Sequence, residues 1–189
     1  MKTPSRRHAA GFTLIELMAV VTIIIILAGL VVGGMGFVSE RQAKEKAKVQ
    51  LALLTKALEE YKLDFGTYPP TTNVSKGAAT SAILFKALYW DSDNDGSGAG
   101  QDDDQKIYLP QLDPTSGKQG WTTGTPGNNT KITDPWGNDY RYITAVNASG
   151  QPNSNCQNPD FDLWSVGKDA DTNPTTPSDR KNRDDIKNF

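Results

Sequence analysis

The sequence predicts an α+β fold: one long N-terminal α-helix packed on a small antiparallel β-sheet head with long loops. Three observations lead there. Leu17 to Val38 is a run of 22 residues without a charge, and at about 1.5 Å of helical rise per residue it spans a hydrocarbon core of roughly 30 Å. Helical periodicity continues past Val38 as an apolar stripe on a charged background. The last third then changes character, with Pro/Gly/Asn turns separating short alternating stretches, the pattern of strands.

Composition narrows the function classes. The net charge of −2 and pI near 5.4 give no concentrated basic face, so no nucleic-acid partner is expected. Hydrophobic residues make up 37%, much of it in the N-terminal run, which leaves the soluble part a thin core. Cys156 is the only cysteine, so no internal disulfide can fasten that core, and a metal ion is the next candidate. His8, the only histidine, lies in the basic leader. Without the leader, Ser-His-Asp and Cys-His catalysis and His-based zinc sites are excluded. A structural or binding role is expected rather than an enzyme.

The N-terminal region sets the topology. Met1 to Ala10 carries Lys2, Arg6 and Arg7 and no acid, which by the positive-inside rule holds this end in the cytoplasm and sends the rest outward. Gly11 stands before the apolar block, whereas the cleavage site of an ordinary secretory signal follows it. Glu16, a carboxylate at the entrance of the run, needs a partner, a function or an escape to the headgroups, because a charge at the bilayer centre costs at least a few kcal/mol. Gly29 and Gly33 form a small-xxx-small face suited to close helix contact. Glycine weakens a helix by about 1 kcal/mol relative to alanine, so local melting near Gly33 and glycine retained for packing alone are both open.

Gly11-Phe12-Thr13-Leu14-Ile15-Glu16-Leu17-Met18, behind a basic leader and ahead of an uninterrupted apolar run, resembles the class III signal of type IV pilins and type II secretion pseudopilins. The resemblance implies cleavage between Gly11 and Phe12 by a prepilin peptidase, N-methylation of Phe12, and extraction of the helix from the inner membrane into a filament core. On that footing, cleavage creates a cationic amine on Phe12 one helical turn from Glu16, near the positive end of the helix dipole. In a staggered bundle the amine of an incoming subunit meets the Glu16 of its neighbour and sets axial register. Many relatives carry a proline where this chain has Gly33.

From Ser39, Ala43, Ala47, Leu51, Leu54, Leu58, Tyr61 and Phe65 recur at spacings of three or four, one apolar stripe. Residues 12–38 and 39–65 therefore read as the membrane or filament-core half and the amphipathic half of one helix, from Phe12 to about Leu63 and roughly 80 Å long. Gly66 and Tyr68-Pro69-Pro70 end it. Residues 66–189 form the head. Ala78 to Trp90 has helical composition. Residues 91–133 read as a long polar loop with an ordered piece at Ile107 to Leu112. Within that loop Asp91-Ser92-Asp93-Asn94-Asp95-Gly96, with Asp102 at the twelfth position, has the opening of an EF-hand-like loop. Asp91, Asp93, Asp95 and Asp102 are either calcium ligands or a solvated acidic run.

Asp134-Pro135-Trp136-Gly137-Asn138-Asp139-Tyr140 predicts a turn leading into a strand with Tyr140, Tyr142 and Ala145, and Phe161 to Val166 predicts a second strand. Both segments, with Asp64-Phe65-Gly66-Thr67-Tyr68-Pro69, are similar to the head of the major pseudopilins. Ser165-Val166-Gly167-Lys168-Asp169 and Asp184-Asp185-Ile186-Lys187-Asn188-Phe189 resemble the calcium-binding tail of that family. The resemblance implies Asp169, Asp184 and Asp185 as carboxylate ligands of calcium (Ca2+), with the Val166 and Asn182 carbonyls adding backbone oxygens. Here the intervening loop, Ala170 to Arg183, is longer than in the pattern and carries Arg180, Lys181 and Arg183, available for neighbour contacts in a filament.

The function implied is that of a non-enzymatic pseudopilin. It sits in the inner membrane with its N terminus cytoplasmic and its head periplasmic, then polymerises with copies of itself into a periplasmic filament for protein export. The implied partners are prepilin peptidase, minor pseudopilins and an assembly platform. A type IV pilin of a surface fibre is the alternative.

Overall fold

The computed structural model describes residues 12–72, 80–93, 105–115, 120–123, 126–127, 129–176 and 178–189, without the side chains of 33–35. Two compact units divide the chain, Met1–Arg41 and Gln42–Phe189. Helix α1, Leu14–Phe65, runs 52 residues, about 78 Å at 1.5 Å per residue. It starts two residues later than expected because Thr13 is its cap, and it continues unbroken through Gly33. Its C terminus follows the expected chemistry: Gly66, at φ +75, donates its N–H to the Lys62 carbonyl at 2.8 Å, the left-handed cap that glycine adopts without strain.

In the first unit, the large apolar side chains of the described residues face outward without cover: Phe12, Leu14, Ile15, Leu17 and the Ile23–Leu27 run are all more than half exposed. In the second unit the amphipathic part of α1 is the floor of the core. Ala47, Leu51, Leu54, Ala57 and Leu58 are buried, whereas Phe65, the last member of the expected stripe, is 44% exposed. Gln50, outside the stripe, is also buried, because its Oε1 hydrogen-bonds the Tyr140 hydroxyl at 2.9 Å.

The expected helix over Ala78 to Trp90 is shorter and changes its hydrogen-bond spacing: α2 is Ser81–Phe85, and Lys86–Trp90 is a π-helical turn. Leu84, Phe85, Ala87 and Leu88 are buried. Within the expected loop, Pro110–Leu112 forms a 3-10 turn, with Tyr108, Leu109 and Leu112 in the core. The same region also holds an unexpected antiparallel pair, β1 (Thr122–Thr123) and β2 (Lys131–Ile132). Two-residue strands are too short to leave a period in sequence.

The main sheet is antiparallel, in the order β3-β4-β5. Strand β3, Arg141–Thr144, pairs Arg141 with Trp164 and Thr144 with Phe161 of β4, Phe161–Ser165. Strand β5, Ile186–Lys187, which the sequence did not announce, pairs Lys187 with Trp164. Alternation is blurred because both faces are covered. Tyr142, Phe161 and Leu163 join the main cluster with Leu54 and Leu58 of α1; Ile143, Trp164 and Val166 form a second cluster with Cys156 and Phe189.

Hydroxyls close the free edge of β3. Tyr142 N–H donates to Thr80 Oγ1 at 2.7 Å and Thr80 Oγ1 donates to the Tyr142 carbonyl at 2.6 Å, while Thr144 N–H reaches Thr71 Oγ1 at 3.3 Å. An edge paired this way offers no open ladder to another strand.

Leu58→Ala, in the middle of the helix–sheet contact, is expected to cost about 2–5 kcal/mol, measured by thermal or denaturant unfolding of the full chain in detergent. A loss under about 1 kcal/mol would show that α1 is not part of the head core.

Candidate functional site: the helix entrance and the C-terminal corner

Thr13 and Glu16 build the entrance of α1. Glu16 Oε2 accepts the Thr13 N–H and the Thr13 hydroxyl, each at 2.8 Å, and Glu16 N–H donates to Thr13 Oγ1 at 3.3 Å. This is a capping box, in which cap and third helical residue satisfy each other's orphan groups. The Thr-x-x-Glu spacing carries that signal in sequence, and it gives Glu16 an intramolecular partner that reasoning from the membrane alone had missed. Gly11, the other side of the expected cleavage point, lies outside the described residues.

The C-terminal corner sets Asp184 against the turn that follows β4. β4 ends at Ser165, and the chain turns through Val166, Gly167, Lys168 and Asp169. β5, hydrogen-bonded to β4, carries Asp184 and Asp185 back to that turn. Asp184 Oδ2 accepts the N–H groups of Lys168 at 2.6 Å and Asp169 at 3.1 Å. Gly167, at φ +68, lies so close that an added Cβ would stand 2.5 Å from Asp184 Oδ2. Only glycine meets both demands, the left-handed conformation and the close approach.

The neighbouring acids point different ways. Asp169 Oδ1 accepts the Asp171 N–H at 2.9 Å. Asp185 has no side-chain exposure; its Oδ2 accepts the Thr172 hydroxyl at 2.8 Å and pairs with Lys187 Nζ at 3.3 Å. Burial pushes the Asp185 carboxyl above the usual carboxylate range, against the Thr172 hydroxyl and the Lys187 ammonium, which pull it down. Its Oδ1 is buried with no hydrogen-bond partner among the described residues. An orphaned buried carboxylate oxygen is costly unless something cationic meets it, and a corner of hard oxygen donors suits calcium. Among the described residues, no three Asp, Glu, His or Cys side chains converge as a metal cluster.

Asn182 is placed differently from a simple backbone ligand. Its side chain is the hub of the longer loop: Oδ1 accepts the Asn173 N–H at 2.6 Å, and Nδ2 donates to the Asn173 and Thr176 carbonyls at 2.9 and 2.8 Å. Lys181 Nζ pairs with Asp171 at 2.7 Å, so one of the three loop cations is engaged within its own loop. Of the acidic run, Asp91 is buried, pairs with Lys86 Nζ at 3.2 Å, and donates its N–H to the Lys86 carbonyl. It closes the π-helical turn. Asp93 is exposed, and Asp95 and Asp102 lie outside the described residues. Cys156 is half-buried, and burial with the Asp162 charge pushes its thiol up to about 12, which marks an inert core thiol.

Residues 6–32 match the family model described as the prokaryotic N-terminal methylation motif. The type II secretion system core protein G of Escherichia coli K12 is 31% identical over 161 residues, covering 85% of this chain and 83% of that protein. Its counterpart in Pseudomonas aeruginosa is 31% identical over 165 residues, 87% of each. The chain belongs to the type II secretion system core protein G family. The counterpart from Vibrio cholerae is 28% identical, over 85% of this chain and 94% of that one. A solved structure of the major pseudopilin from enterohaemorrhagic Escherichia coli is also similar, at 20% identity and a TM-score of 0.41, covering 82% of this chain and 93% of that chain. As a core protein G, the chain carries a long apolar helix and a small antiparallel sheet.

Gly167→Ala is expected to lose about 1–3 kcal/mol through strain and overpacking, read as a lower unfolding midpoint and faster hydrogen exchange at the Lys168 and Asp169 amides. Unchanged values for both would mean that Asp184 is not seated on this turn.

Proposed function

We propose that the chain is stored in the inner membrane, N terminus cytoplasmic and head periplasmic, and then polymerises through residues 12–38 into a pseudopilus for protein export. One observation carries this reading. The apolar half of α1 has large side chains uncovered along its length, Phe12 at 87% and Val32 at 72% exposed among them, and hydropathy high enough to cross a membrane. Burying each such side chain is worth about 1.5–3 kcal/mol, so this surface requires an apolar surrounding: first lipid, then other copies of the same helix. The N-terminal methylation motif over 6–32 supports processing by a prepilin peptidase between Gly11 and Phe12. No catalytic role is proposed.

Glu16 is the register device in this reading. Its carboxylate serves the Thr13 cap within one chain, and in the filament the methylated amine of a neighbouring Phe12 takes up the same charge. A charge-assisted contact of that kind is stronger than the neutral hydroxyl contact it joins. Minor pseudopilins and an assembly platform are the further partners.

Calcium is proposed at the C-terminal corner. Asp169, Asp184 and Asp185 with the Val166 and Asn182 carbonyls would hold it, and the orphaned Asp185 Oδ1 supports the reading. The ion supplies positive charge that neutralises the acidic corner and ties the tail to the end of β4. The 91–102 acidic run, with Asp91, Asp93, Asp95 and Asp102, is a second candidate calcium loop, in which Asp91 pairs with Lys86 through Oδ2.

Co-expression with a prepilin peptidase is expected to remove the 11 leader residues and leave a methylated Phe12, seen by intact mass; an unchanged mass would sink the processing step. Chelation is expected to lower the unfolding midpoint of the full chain in detergent by several degrees, about what 1–2 kcal/mol produces in a domain of this size. Asp185→Ala should abolish that response while Asp93→Ala leaves it. A midpoint indifferent to chelator would overturn the calcium reading.

A further inference from the structure

Asp134 heads the Asp134-Pro135-Trp136-Gly137-Asn138 turn, yet it is 2% exposed and does more than close that turn. Its Oδ1 accepts the N–H groups of Trp136 at 3.0 Å and Asn138 at 2.9 Å. Its Oδ2 accepts the hydroxyl of Ser165, the last residue of β4, at 2.6 Å. A turn needs only the first pair of bonds. The second crosses 31 residues of sequence and ends at the edge of the acidic corner.

From there both polar groups of Gly167 are held. Ser165 Oγ, oriented by Asp134, accepts the Gly167 N–H at 3.1 Å. Asn138, whose backbone is fixed on Asp134, donates its side-chain amide to the Gly167 carbonyl at 2.7 Å. Gly167 is the residue against which Asp184 is seated, and the next two amides, of Lys168 and Asp169, donate to Asp184. A relay therefore runs from Asp134 through Ser165 and Asn138 to Gly167 and on to Asp184. The Gly167 carbonyl, committed to Asn138, is removed from the donors available to a cation.

We propose that Asp134 is the positioning residue of the calcium corner: through Ser165 and Asn138 it fixes the Gly167 turn that presents the Val166 carbonyl and Asp169 and seats Asp184. The proposal rests on the calcium reading above. Asp134 touches no ion; it acts by holding the donors in place before the ion arrives, the role that outer hydrogen bonds play around metal ligands.

The test uses the full chain in detergent with calcium as the probe. Asp134→Asn keeps the shape and the two amide contacts at Oδ1 but presents an amide in place of the acceptor for Ser165. Ser165→Ala and Asn138→Ala cut the relay while leaving the Asp134 turn contacts from Trp136 in place, and they carry the test if Asp134→Asn fails to fold. Each is expected to weaken calcium binding by calorimetry about 10- to 100-fold. In metal-free protein, hydrogen exchange at Gly167, Lys168 and Asp169 should accelerate about tenfold or more while the Trp136 amide keeps its wild-type rate in Ser165→Ala. Wild-type affinity together with wild-type exchange at 167–169 in Ser165→Ala and Asn138→Ala would overturn the positioning role and leave the calcium reading standing. Absence of calcium uptake by the wild-type chain would overturn both.

Discussion

The head depends on one contact, the amphipathic half of α1 against the inner face of β3 and β4. Leu51, Leu54 and Leu58 of the helix share a cluster with Tyr140, Tyr142, Phe161 and Leu163. Everything else in the second unit is arranged around it: α2 and the π-helical turn add Leu84, Phe85 and Leu88, and the Tyr108–Leu112 segment closes the side. Aromatic side chains let a small sheet cover a helix, because each buries 150–250 Å² by general estimate. Tyr140 and Tyr142 also spend their hydroxyls inside the core, on Gln50 and on the Pro69 carbonyl, so burial there leaves no polar group of either ring without a bond.

The opposite face of the sheet has a much smaller cluster, Ile143, Trp164 and Val166 with Cys156 and Phe189. Apolar burial there is too little to hold the last residues, and polar chemistry does the remainder. Asn188 extends the β4 ladder by one side chain, accepting the Leu163 N–H on Oδ1 at 2.7 Å and donating Nδ2 to the Phe161 carbonyl at 3.2 Å. Asn182 ties the preceding loop to itself. The acidic pair Asp184–Asp185 is then delivered to the end of β4 by backbone pairing, and Asp185 Oδ1 is left buried without a hydrogen-bond partner among the described residues. A lone, inert Cys156 cannot take over that fastening.

The other unit obeys a different constraint. Its apolar surface has no cover among the described residues, and Glu16, the carboxylate at its entrance, is already satisfied by Thr13. A surface of that kind calls for an apolar surrounding, and the capping box satisfies the charged entrance of the helix within the chain.

Much of this was legible in the residues themselves. Uninterrupted apolar length, a stripe at helical spacing and a glycine stop are local signals, and α1, its buried face and its end at Gly66 followed from them to within two residues. The D-P-W-G-N turn and strands β3 and β4 were equally local, as was the family resemblance carried by both termini. Tertiary structure alone decided the rest. β1, β2 and β5 are two-residue strands, too short to show a period, whose existence depends on the partner each one meets. Gln50 is buried because Tyr140 reaches it from 90 residues away, and Asp134 is joined to the C-terminal corner only where β4 ends beside its turn. A sequence displays the period of an element and the chemistry of a turn because those act between near neighbours. It does not display which distant polar groups meet, because that is set by the packing of the elements after they have formed.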